Sequence, residues 1–296
     1  ILCADLSTGK LWDKELDEKT ARDFLGGYGL GAKILFERQK PGVDPLGPDA
    51  IFGITTGMIT GTDAIGGSRY TAVGKSPLTG GWGDANSGGS FGPYLKFAGY
   101  DAVFVTGISP KPVYIFIDNG KAELKDAGHV WGKDSFETED ILINEYGKNT
   151  DLCCIGQAGE KVARIASVMN NKGRAAGRSG LGAVMGSKKL KAIVARGTMV
   201  PPVEDPEGMK QVRKDQTSKL GGHVVGLREF GTPGIFNMCC KVDDCPTKNW
   251  KGVAEIDLPT YENLGGEKVV AQQERRYGCW KCPIACGGHM KASTEK

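Results

Sequence analysis

Short apolar runs predict many strands along the first two thirds of the chain. Branched and aromatic residues bounded by glycine, proline or asparagine are typical of strands. Strands are predicted on this pattern at residues 1–6, 10–12, 50–55, 69–73, 102–106, 113–117, 121–124, 152–155, 163–168 and 190–195. The turns Thr8-Gly9 and Asp118-Asn119-Gly120 predict that the strands on either side of each turn form a hairpin.

Fewer segments have the helical spacing of apolar residues. One predicted helix starts at residues 17–20 and ends at Gly26-Gly27, a second carries Leu30, Ile34 and Leu35, and a third covers Ser135–Tyr146. Because the strands outnumber the helices and do not alternate regularly with them, the pattern predicts an α+β fold and not a doubly wound sheet.

Paired prolines predict the domain boundary. Pro201-Pro202 can continue neither a helix nor a strand ladder. We therefore expect a β-rich first domain over residues 1–200 and a second domain over residues 201–296. The second domain begins with a polar helix from Pro206 to Leu220, is expected to be mostly helical, and carries the cysteine-rich end.

Charge and composition narrow the class of protein. The 296 residues carry a net charge of +3, which is too balanced to indicate nucleic acid or an anionic membrane as a partner. No apolar run approaches the roughly 20 residues of a membrane span. Because no charged-then-apolar leader is recognised before Ile1, we do not expect export. Nine cysteines, an odd number that includes a tight group, are typical of a reducing interior, so we expect a cytoplasmic protein.

Three cysteines near the end predict a metal centre. Cys279, Cys282 and Cys286 have C-x2-C-x3-C spacing, and thiolates are the usual ligands of iron–sulfur clusters and of structural zinc. Three cysteines leave a fourth ligand to be found elsewhere. Either a distant cysteine completes a [4Fe–4S] cluster, or His289 completes a Cys3His zinc site. A chance group of buried thiols is the third alternative, and the motif alone does not separate cluster from zinc.

Two glycine-rich stretches, residues 76–93 and 173–188, predict phosphate binding. Small residues let backbone N–H groups approach an anion, and helix-forming sequence follows each stretch. Arg69, Arg174 and Arg178 supply donors that suit phosphate, and Asn86 adds a neutral donor and acceptor. The alternative is that these glycines form tight turns in a twisted sheet.

Neither stretch matches a known nucleotide-binding loop. The pattern G-x-x-x-x-G-K-[ST] does not occur. Gly180, Gly182 and Gly186 imitate a dinucleotide fingerprint, but residues 174–178 do not predict the strand that must precede it. The two phosphate-binding stretches and the cysteine group together predict a site for a bulky phosphorylated cofactor close to an electron carrier.

At these motifs the sequence resembles the aldehyde ferredoxin oxidoreductase family, the tungsten–pterin enzymes of anaerobes. The resemblance spans nearly the whole chain and rests on residues 68–71, 75–81, 84–89, 92–93, 98–102, 155–160, 174–188, 231–234 and 279–286. It favours the iron–sulfur cluster over zinc at the three cysteines.

The resemblance implies a set of cofactors and the residues that hold them. The first domain would bind tungstopterin, in which two molybdopterin-type dithiolenes hold one tungsten and Mg²⁺ bridges their phosphates. The residues implied at the pterins are Arg69, Asn86, Gly88, Arg174, Ala175, Gly177 and Arg178. The backbone carbonyls of Asn86 and Ala175 would lie near Mg²⁺, and Cys279, Cys282 and Cys286 would be three of the four ligands of a [4Fe–4S] cluster.

The resemblance also implies a reaction and partners. A small-molecule aldehyde would be oxidised to a carboxylic acid, and electrons would pass through the cluster to ferredoxin. The alternatives are a relative acting on a sugar aldehyde, an aromatic thioester reductase subunit, or a non-catalytic zinc-binding module. Family members are about twice this length, so the fourth cluster ligand and the catalytic residues, which stay unknown, are expected outside this sequence. The oligomeric state stays open, with a homodimer as one alternative.

The remaining cysteines and histidines are expected to be structural. Cys239, Cys240 and Cys245 lie outside the resemblance and are predicted to be packing or loop thiols, with a second metal site as the alternative. His129, His223 and His289 are predicted to be ordinary hydrogen-bonded side chains.

Overall fold

The computed structural model describes residues 1–221 and 224–291. The chain divides into two compact units, Ile1–Pro206 and a second that begins at Glu207. His223, one of the three histidines considered above, lies outside the described residues, as do residues 292–296.

The first half of unit 1 forms a mixed six-stranded sheet. Its strands are β1 (Leu2–Asp5), β2 (Lys10–Asp13), β3 (Phe52–Thr56), β4 (Tyr70–Lys75), β5 (Trp82–Ser87) and β6 (Ala102–Thr106). They lie in the order β2-β1-β6-β3-β4-β5, with β1 and β6 parallel and the other neighbours antiparallel. The glycine-rich strand β5 is therefore an edge strand.

The second half of unit 1 forms another mixed six-stranded sheet. Its strands are β7 (Val113–Asp118), β8 (Lys121–Asp126), β9 (Thr150–Cys154), β10 (Val168–Asn170), β11 (Arg174–Ala176) and β12 (Leu190–Arg196). The order is β11-β10-β9-β12-β7-β8, with β7 and β12 parallel. Strand β11, which carries Arg174, is an edge strand of this sheet.

Helices cover both sheets and fill the space between them. The helices of unit 1 are α1 (Glu18–Phe24), α2 (Gly27–Arg38), α3 (Phe91–Phe97), α4 (Ser135–Tyr146), α5 (Gln157–Glu160) and α6 (Leu181–Ser187). Helices α3 and α6 share the main core with residues of both sheets. Helix α2 packs on the outer face of the first sheet and α4 on the outer face of the second.

This layering explains the continuous apolar runs of the central strands. In β7, Ile115 and Ile117 face the main core while Tyr114 and Phe116 face α4. A strand covered on both faces has no polar side to present, so its sequence does not alternate.

The described part of unit 2 consists of helices and one β-hairpin. The described elements are α7 (Pro206–Lys219), α8 (Val225–Phe230), α9 (Phe236–Lys241), α10 (Ala254–Asp257), α11 (Gly266–Val270), 3-10 helices at Thr232–Ile235 and Tyr261–Leu264, and the antiparallel strands β13 (Gln273–Tyr277) and β14 (Gly287–Met290). Its apolar cluster is small and contains Cys240, Ala254 and Tyr261. None of the helices described in either unit combines the length and the apolar character that a membrane span needs.

The predicted α+β class is confirmed, and three local predictions are wrong. The strand predicted at residues 163–168 is mostly a loop, because Val162 has a left-handed backbone and Ala166 O accepts a bond from the backbone N–H of Gly182 in α6. Strand β5 lies inside a stretch interpreted only as a glycine-rich loop. Strand β11 lies where residues 174–178 did not predict one; it is three residues long and pairs antiparallel with β10.

Candidate cofactor-binding site

The two glycine-rich stretches meet at the edges of their sheets. Strands β5 and β11 lie side by side in unit 1. The Ser179 hydroxyl accepts a hydrogen bond from the Asp84 backbone N–H (3.2 Å) and donates one to the Asp84 carbonyl (3.0 Å). Segments 95 residues apart in sequence thus form one continuous surface.

A buried asparagine joins the same two stretches more deeply. Asn170 is fully buried at the end of β10, and its backbone pairs with that of Arg174. Its Nδ2 donates to the Gly88 carbonyl (2.8 Å), and its Oδ1 accepts from the hydroxyls of Ser87 (2.8 Å) and Tyr70 (3.0 Å). One side chain therefore fixes the loop after β5 against the turn before β11.

The next residue holds the following part of the same loop. Asn171 has a left-handed backbone with φ 45°. Its Oδ1 accepts from the Ser90 backbone N–H (2.7 Å), and its Nδ2 donates to the Ser90 hydroxyl (3.0 Å) and to the Asp151 carboxylate (3.0 Å). Sequence reasoning missed both asparagines. The available signal was an Asn-Asn pair one residue before the glycine-rich stretch, since asparagine tolerates left-handed turns and both donates and accepts hydrogen bonds.

Two buried acids lie beneath this loop. Burial raises the pKa of Asp151, while hydrogen bonds from Ser90, Asn171 and the Leu152 backbone N–H act against that rise. Burial raises the pKa of Glu139 to about 7, although the Lys172 backbone N–H donates to its carboxylate at 2.9 Å. The underside of the loop therefore holds two acids whose affinity for a proton is increased by burial.

Arg69 and Asn86 meet on the outer side of the β4–β5 ladder. Arg69 Nη1 donates to Asn86 Oδ1 (2.5 Å), and Asn86 Nδ2 donates to the Thr71 hydroxyl (3.2 Å). Arg69 is exposed, so its guanidinium has further N–H groups that can reach a ligand. Burial raises the pKa of Tyr28 in α2, and the charges of Asp84 and Arg69 also act on that hydroxyl.

The second stretch contains an exposed part and a packed part. Ala175, Gly177 and Arg178 are exposed, and a Cβ at Gly177 would make only ordinary contacts at 3.7 Å. By contrast, a Cβ at Gly182 would lie 2.5 Å from the Ser167 carbonyl oxygen, and one at Gly186 1.9 Å from the Gly159 carbonyl oxygen. The glycines of α6 thus serve close packing, whereas Ala175, Gly177 and Arg178 are accessible to a ligand and Ala176 is buried in the main core.

The chemistry of this surface fits a phosphorylated cofactor with a bound Mg²⁺. Three arginines, Arg69, Arg174 and Arg178, supply guanidinium donors suited to phosphate. Edge strands leave part of their backbone N–H and C=O groups outside the ladder, and Mg²⁺ prefers oxygen ligands. Asn86 of β5 and Ala175 of β11 are both on such edges.

The cysteine loop lies between the two strands of the unit 2 hairpin. Cys279, Cys282 and Cys286 are free and half-buried, and the Cys282 N–H donates to the Cys279 carbonyl at 3.0 Å. Within residues 1–221 and 224–291, no three His, Cys, Asp or Glu side chains converge closely enough to hold a metal ion. Thiols are the ligand type of iron–sulfur and zinc sites, so the chemistry of this loop fits such a site.

Two arginines and a glycine hold the backbone of this loop. Arg276 Nε donates to the Ala285 carbonyl (3.3 Å), and Arg213 Nη2 donates to the Lys281 carbonyl (2.6 Å). Gly231 has φ 68°, and a Cβ there would lie 2.6 Å from the Cys286 carbonyl oxygen. Residues 231–234, one of the predicted motifs, thus contact the cysteine loop directly.

Comparison with protein-family models identifies the chain. A model described as aldehyde ferredoxin oxidoreductase, N-terminal domain, matches residues 1–197, and a model described as aldehyde ferredoxin oxidoreductase, domains 2 and 3, matches residues 208–296. The chain belongs to the aldehyde ferredoxin oxidoreductase family. The resemblance found in the sequence is confirmed.

Individual members of the family support the match. The tungsten-containing aldehyde ferredoxin oxidoreductase of Thermococcus kodakarensis is 43% identical over 298 residues, which cover 99% of this chain and 49% of that protein. The Pyrococcus furiosus protein of the same name is 42% identical over 288 residues, covering 96% of this chain and 47% of that protein. The chain thus spans about half the length of the curated relatives it matches.

Other similar proteins carry other names. The WOR-like subunit of the aliphatic sulfonate oxidoreductase of P. furiosus is 32% identical over 308 residues, covering 97% of this chain and 48% of that protein. Among solved structures, the active-site complex BamBC of benzoyl coenzyme A reductase with 1,5-dienoyl-CoA matches with a TM-score of 0.84 and 30% identity. That match covers 100% of this chain and 47% of the other.

Packing and pairing account for four of the other candidate residues of this family member, His129, His289, Cys240 and Cys245. His129 Nε2 lies 3.3 Å from Glu145 Oε2, and the His289 ring packs on Tyr277 with centroids 4.7 Å apart. Cys240 is fully buried, and Cys245 packs against the same apolar cluster. These contacts agree with the structural roles predicted for them.

Proposed function

We propose that this chain is the cofactor-binding part of an enzyme that oxidises a small-molecule aldehyde to a carboxylic acid. Unit 1 would hold tungstopterin with its Mg²⁺. The cysteine loop of unit 2 would hold a [4Fe–4S] cluster that passes electrons to ferredoxin. We also propose a reducing, cytoplasmic setting, which the free thiols of this loop support.

The observation that carries this proposal is the meeting of β5 with β11. Two segments far apart in sequence, each predicted to bind the same cofactor, form one surface through the Ser179–Asp84 and Asn170–Gly88 hydrogen bonds. Tight turns alone would not require the two stretches to share one edge. A large ligand with more than one phosphate would use such a shared edge.

The chain's own residues would bind and orient the cofactor. Arg69, Arg174 and Arg178 would form charge-assisted bonds to phosphate, and the edge carbonyls of Asn86 and Ala175 would face Mg²⁺. When bound, the tungstopterin supplies the two-electron redox chemistry, which a side chain cannot provide. Arg213 and Arg276 would fix the backbone of the cysteine loop around the cluster and add positive charge close to it.

The degree of similarity favours an aldehyde substrate. The relatives named for aldehyde oxidation are 42–43% identical to this chain, whereas those named for a sulfonate and for a coenzyme A thioester are 32% and 30% identical. Because of this difference in sequence identity, we propose an aldehyde as the substrate.

Anaerobic purification of the full-length protein tests the proposal. We expect tungsten, iron, sulfide and pterin in the same preparation, together with aldehyde-dependent reduction of a viologen dye or ferredoxin. Zinc alone would favour the binding-module alternative. Dye reduction with an aliphatic sulfonate or an aromatic thioester, but not with an aldehyde, would contradict the proposed substrate.

Replacing Arg174 tests the cofactor site directly. Charge-assisted hydrogen bonds are worth about 1.5–3 kcal/mol each, so Arg174→Ala should lower pterin and tungsten content together while the protein stays folded. Arg22→Ala is the control, because Arg22 lies on the exposed helix α1 and pairs there with Glu18. Equal tungsten content in Arg174→Ala and Arg22→Ala would contradict the assignment of Arg174.

A further inference from the structure

The asparagine pair Asn170-Asn171 connects four segments that the proposed cofactor site needs in fixed positions. Together the two side chains contact Tyr70 in β4, the loop Ser87–Ser90, and Asp151 in β9. The backbone of Asn170 also pairs with Arg174 in β11. Neither asparagine is among the residues that face the proposed ligand.

The orientation of each side-chain amide is fixed by a neighbour that can only accept or only donate a hydrogen bond. A carbonyl oxygen only accepts, so the atom of Asn170 that faces Gly88 O must be Nδ2. A backbone N–H only donates, so the atom of Asn171 that faces Ser90 N must be Oδ1. The 2.9 Å bond from Asn170 Nδ2 to Asn171 Oδ1 then agrees with both orientations. The network has a single consistent arrangement.

The backbone of the loop Ser87–Ser90 approaches the Asn170 and Asn171 amides closely at Gly89. Gly89 has φ 94°, and a Cβ there would lie 2.0 Å from Asn171 Oδ1 and 2.5 Å from Asn170 Nδ2. A glycine is therefore needed for the backbone to approach the two amides this closely. The contact is direct and leaves no space for a bridging water.

We propose that Asn170 and Asn171 are positioning residues that hold the loop Ser87–Ser90 against the turn leading into Arg174, so that strands β5 and β11 present one preformed surface to the cofactor. This inference rests on the proposed function. Without the two amides, each stretch would have to be ordered separately when the cofactor binds. The cofactor would then be held less tightly even though every residue that touches it is still present.

The test uses Asn171→Ala in the full-length protein, with Asn119→Ala as a matched control. Asn119 has φ 46°, close to the 45° of Asn171, and its Oδ1 also accepts from a distant backbone N–H, that of Thr198 at 3.1 Å. Both variants therefore place alanine in a left-handed backbone and remove one acceptor. Asn119 lies in the β7–β8 turn, outside both glycine-rich stretches.

Two measurements separate positioning from general stability. Hydrogen–deuterium exchange of the Ser90 amide should accelerate about tenfold in Asn171→Ala, and that of Thr198 similarly in Asn119→Ala, since each loses one hydrogen bond to a side chain. The rate at which pterin leaves the protein on dilution, followed by the fluorescence of the released pterin, should rise about tenfold in Asn171→Ala and stay at the wild-type value in Asn119→Ala.

A second variant keeps the proposal testable if Asn171→Ala does not fold. Asn170→Asp keeps the shape of the side chain and the acceptor for Tyr70 and Ser87, but presents an oxygen to the Gly88 carbonyl. It should also accelerate pterin release. Wild-type release rates in both asparagine variants, with pterin present in the wild type, would overturn the positioning role alone. Absence of pterin from the wild-type protein would instead overturn the proposed function on which the inference rests.

Discussion

At the scale of single residues, the conformation of the loop Ser87–Ser90 depends on one glycine. Gly89 combines a left-handed backbone with close approach to two side chains, whereas Gly80 has φ 72° and a Cβ there would have no atom within 4 Å. Both glycines therefore have a left-handed backbone, but only Gly89 has other atoms packed close to it. Comparing them isolates the effect of the asparagine contact.

We expect Gly89→Ala to be more damaging than Gly80→Ala. Both variants carry the strain of alanine at positive φ, and Gly89→Ala in addition displaces Asn171 from Ser90, which should cost a further loss of about 1–3 kcal/mol. Urea unfolding measures the difference, and pterin content should fall only in Gly89→Ala. Equal losses of stability in the two variants would contradict the contact with Asn171.

We expect a second residue, Glu139, to make the stability of the protein depend on pH. Burial raises its pKa from 4.5 to about 7, the Asp151 and Asp140 charges add to the rise, and Lys172 opposes it. The folded state therefore binds a proton that the unfolded state has released between pH 4.5 and about 7. Stability must fall as pH rises through this window, by about 3 kcal/mol at 1.36 kcal/mol per pKa unit.

Glu139→Gln should weaken this pH dependence. Glutamine keeps an oxygen that can accept from the Lys172 N–H but carries no titrating proton. We expect urea unfolding at pH 5 and pH 8 to show a smaller loss of stability in the variant than in the wild type. An unchanged loss would assign the pH dependence to another group.

At the scale of elements, a buried ion pair ties β12 to α5. Lys191 Nζ lies 2.5 Å from Glu160 Oε1, with the two side chains 0% and 7% exposed, and it also donates to the Lys133 carbonyl at 2.8 Å. Glu160 accepts in turn from the Gly132 N–H at 2.9 Å. The pair thus fixes the loop before α4 as well.

Removing one member of this pair should be costly. Lys191→Met leaves the Glu160 carboxylate buried without its cation, which typically costs about 3–5 kcal/mol. The double variant Lys191→Met/Glu160→Gln should recover part of that loss, because no charge remains buried. Lys111→Met is the control: Lys111 lies 2.6 Å from Asp126, but the side chains are 65% and 57% exposed, and exposed pairs contribute about 0–1 kcal/mol. Equal free energies of unfolding for Lys191→Met and Lys111→Met would refute this account.

At the scale of the whole molecule, the proposed function needs two metal sites in different units. The first rests on sheet edges of unit 1 and the second on a loop of unit 2. Loss of one site should therefore leave the other able to bind its metal. This independence makes the cysteine loop testable by itself.

In the full-length protein, Cys282→Ser should abolish the cluster and spare the tungsten. An alkoxide is a harder and poorer ligand for iron than a thiolate, so the broad visible absorption of the cluster should disappear while part of the tungsten is retained. His289→Ala should change neither colour nor iron content. Zinc is redox-inactive and its sites are colourless. Loss of metal in His289→Ala, with no visible absorption in the wild type, would establish the zinc alternative.

The sequence by itself determined the features that depend on local pattern. Continuous apolar runs identified β6, β7 and β12, the Asp118-Asn119-Gly120 turn identified a hairpin, and the helix Ser135–Tyr146 was predicted with its observed ends. The glycine-rich and cysteine motifs also indicated the family correctly, since their residues stand at fixed spacings along the chain.

The tertiary structure alone decided which of these residues meet. Strands β5 and β11 have no continuous apolar run that would identify them. They are stabilised by pairing at a sheet edge and by contacts between residues 95 positions apart, such as Ser179 with Asp84. The role of Asn170 depends in the same way on Gly88, 82 residues away. The spacing of residues along the chain does not indicate partners at such separations. The hydrogen bonds that join the two glycine-rich stretches could therefore be identified only in the folded structure.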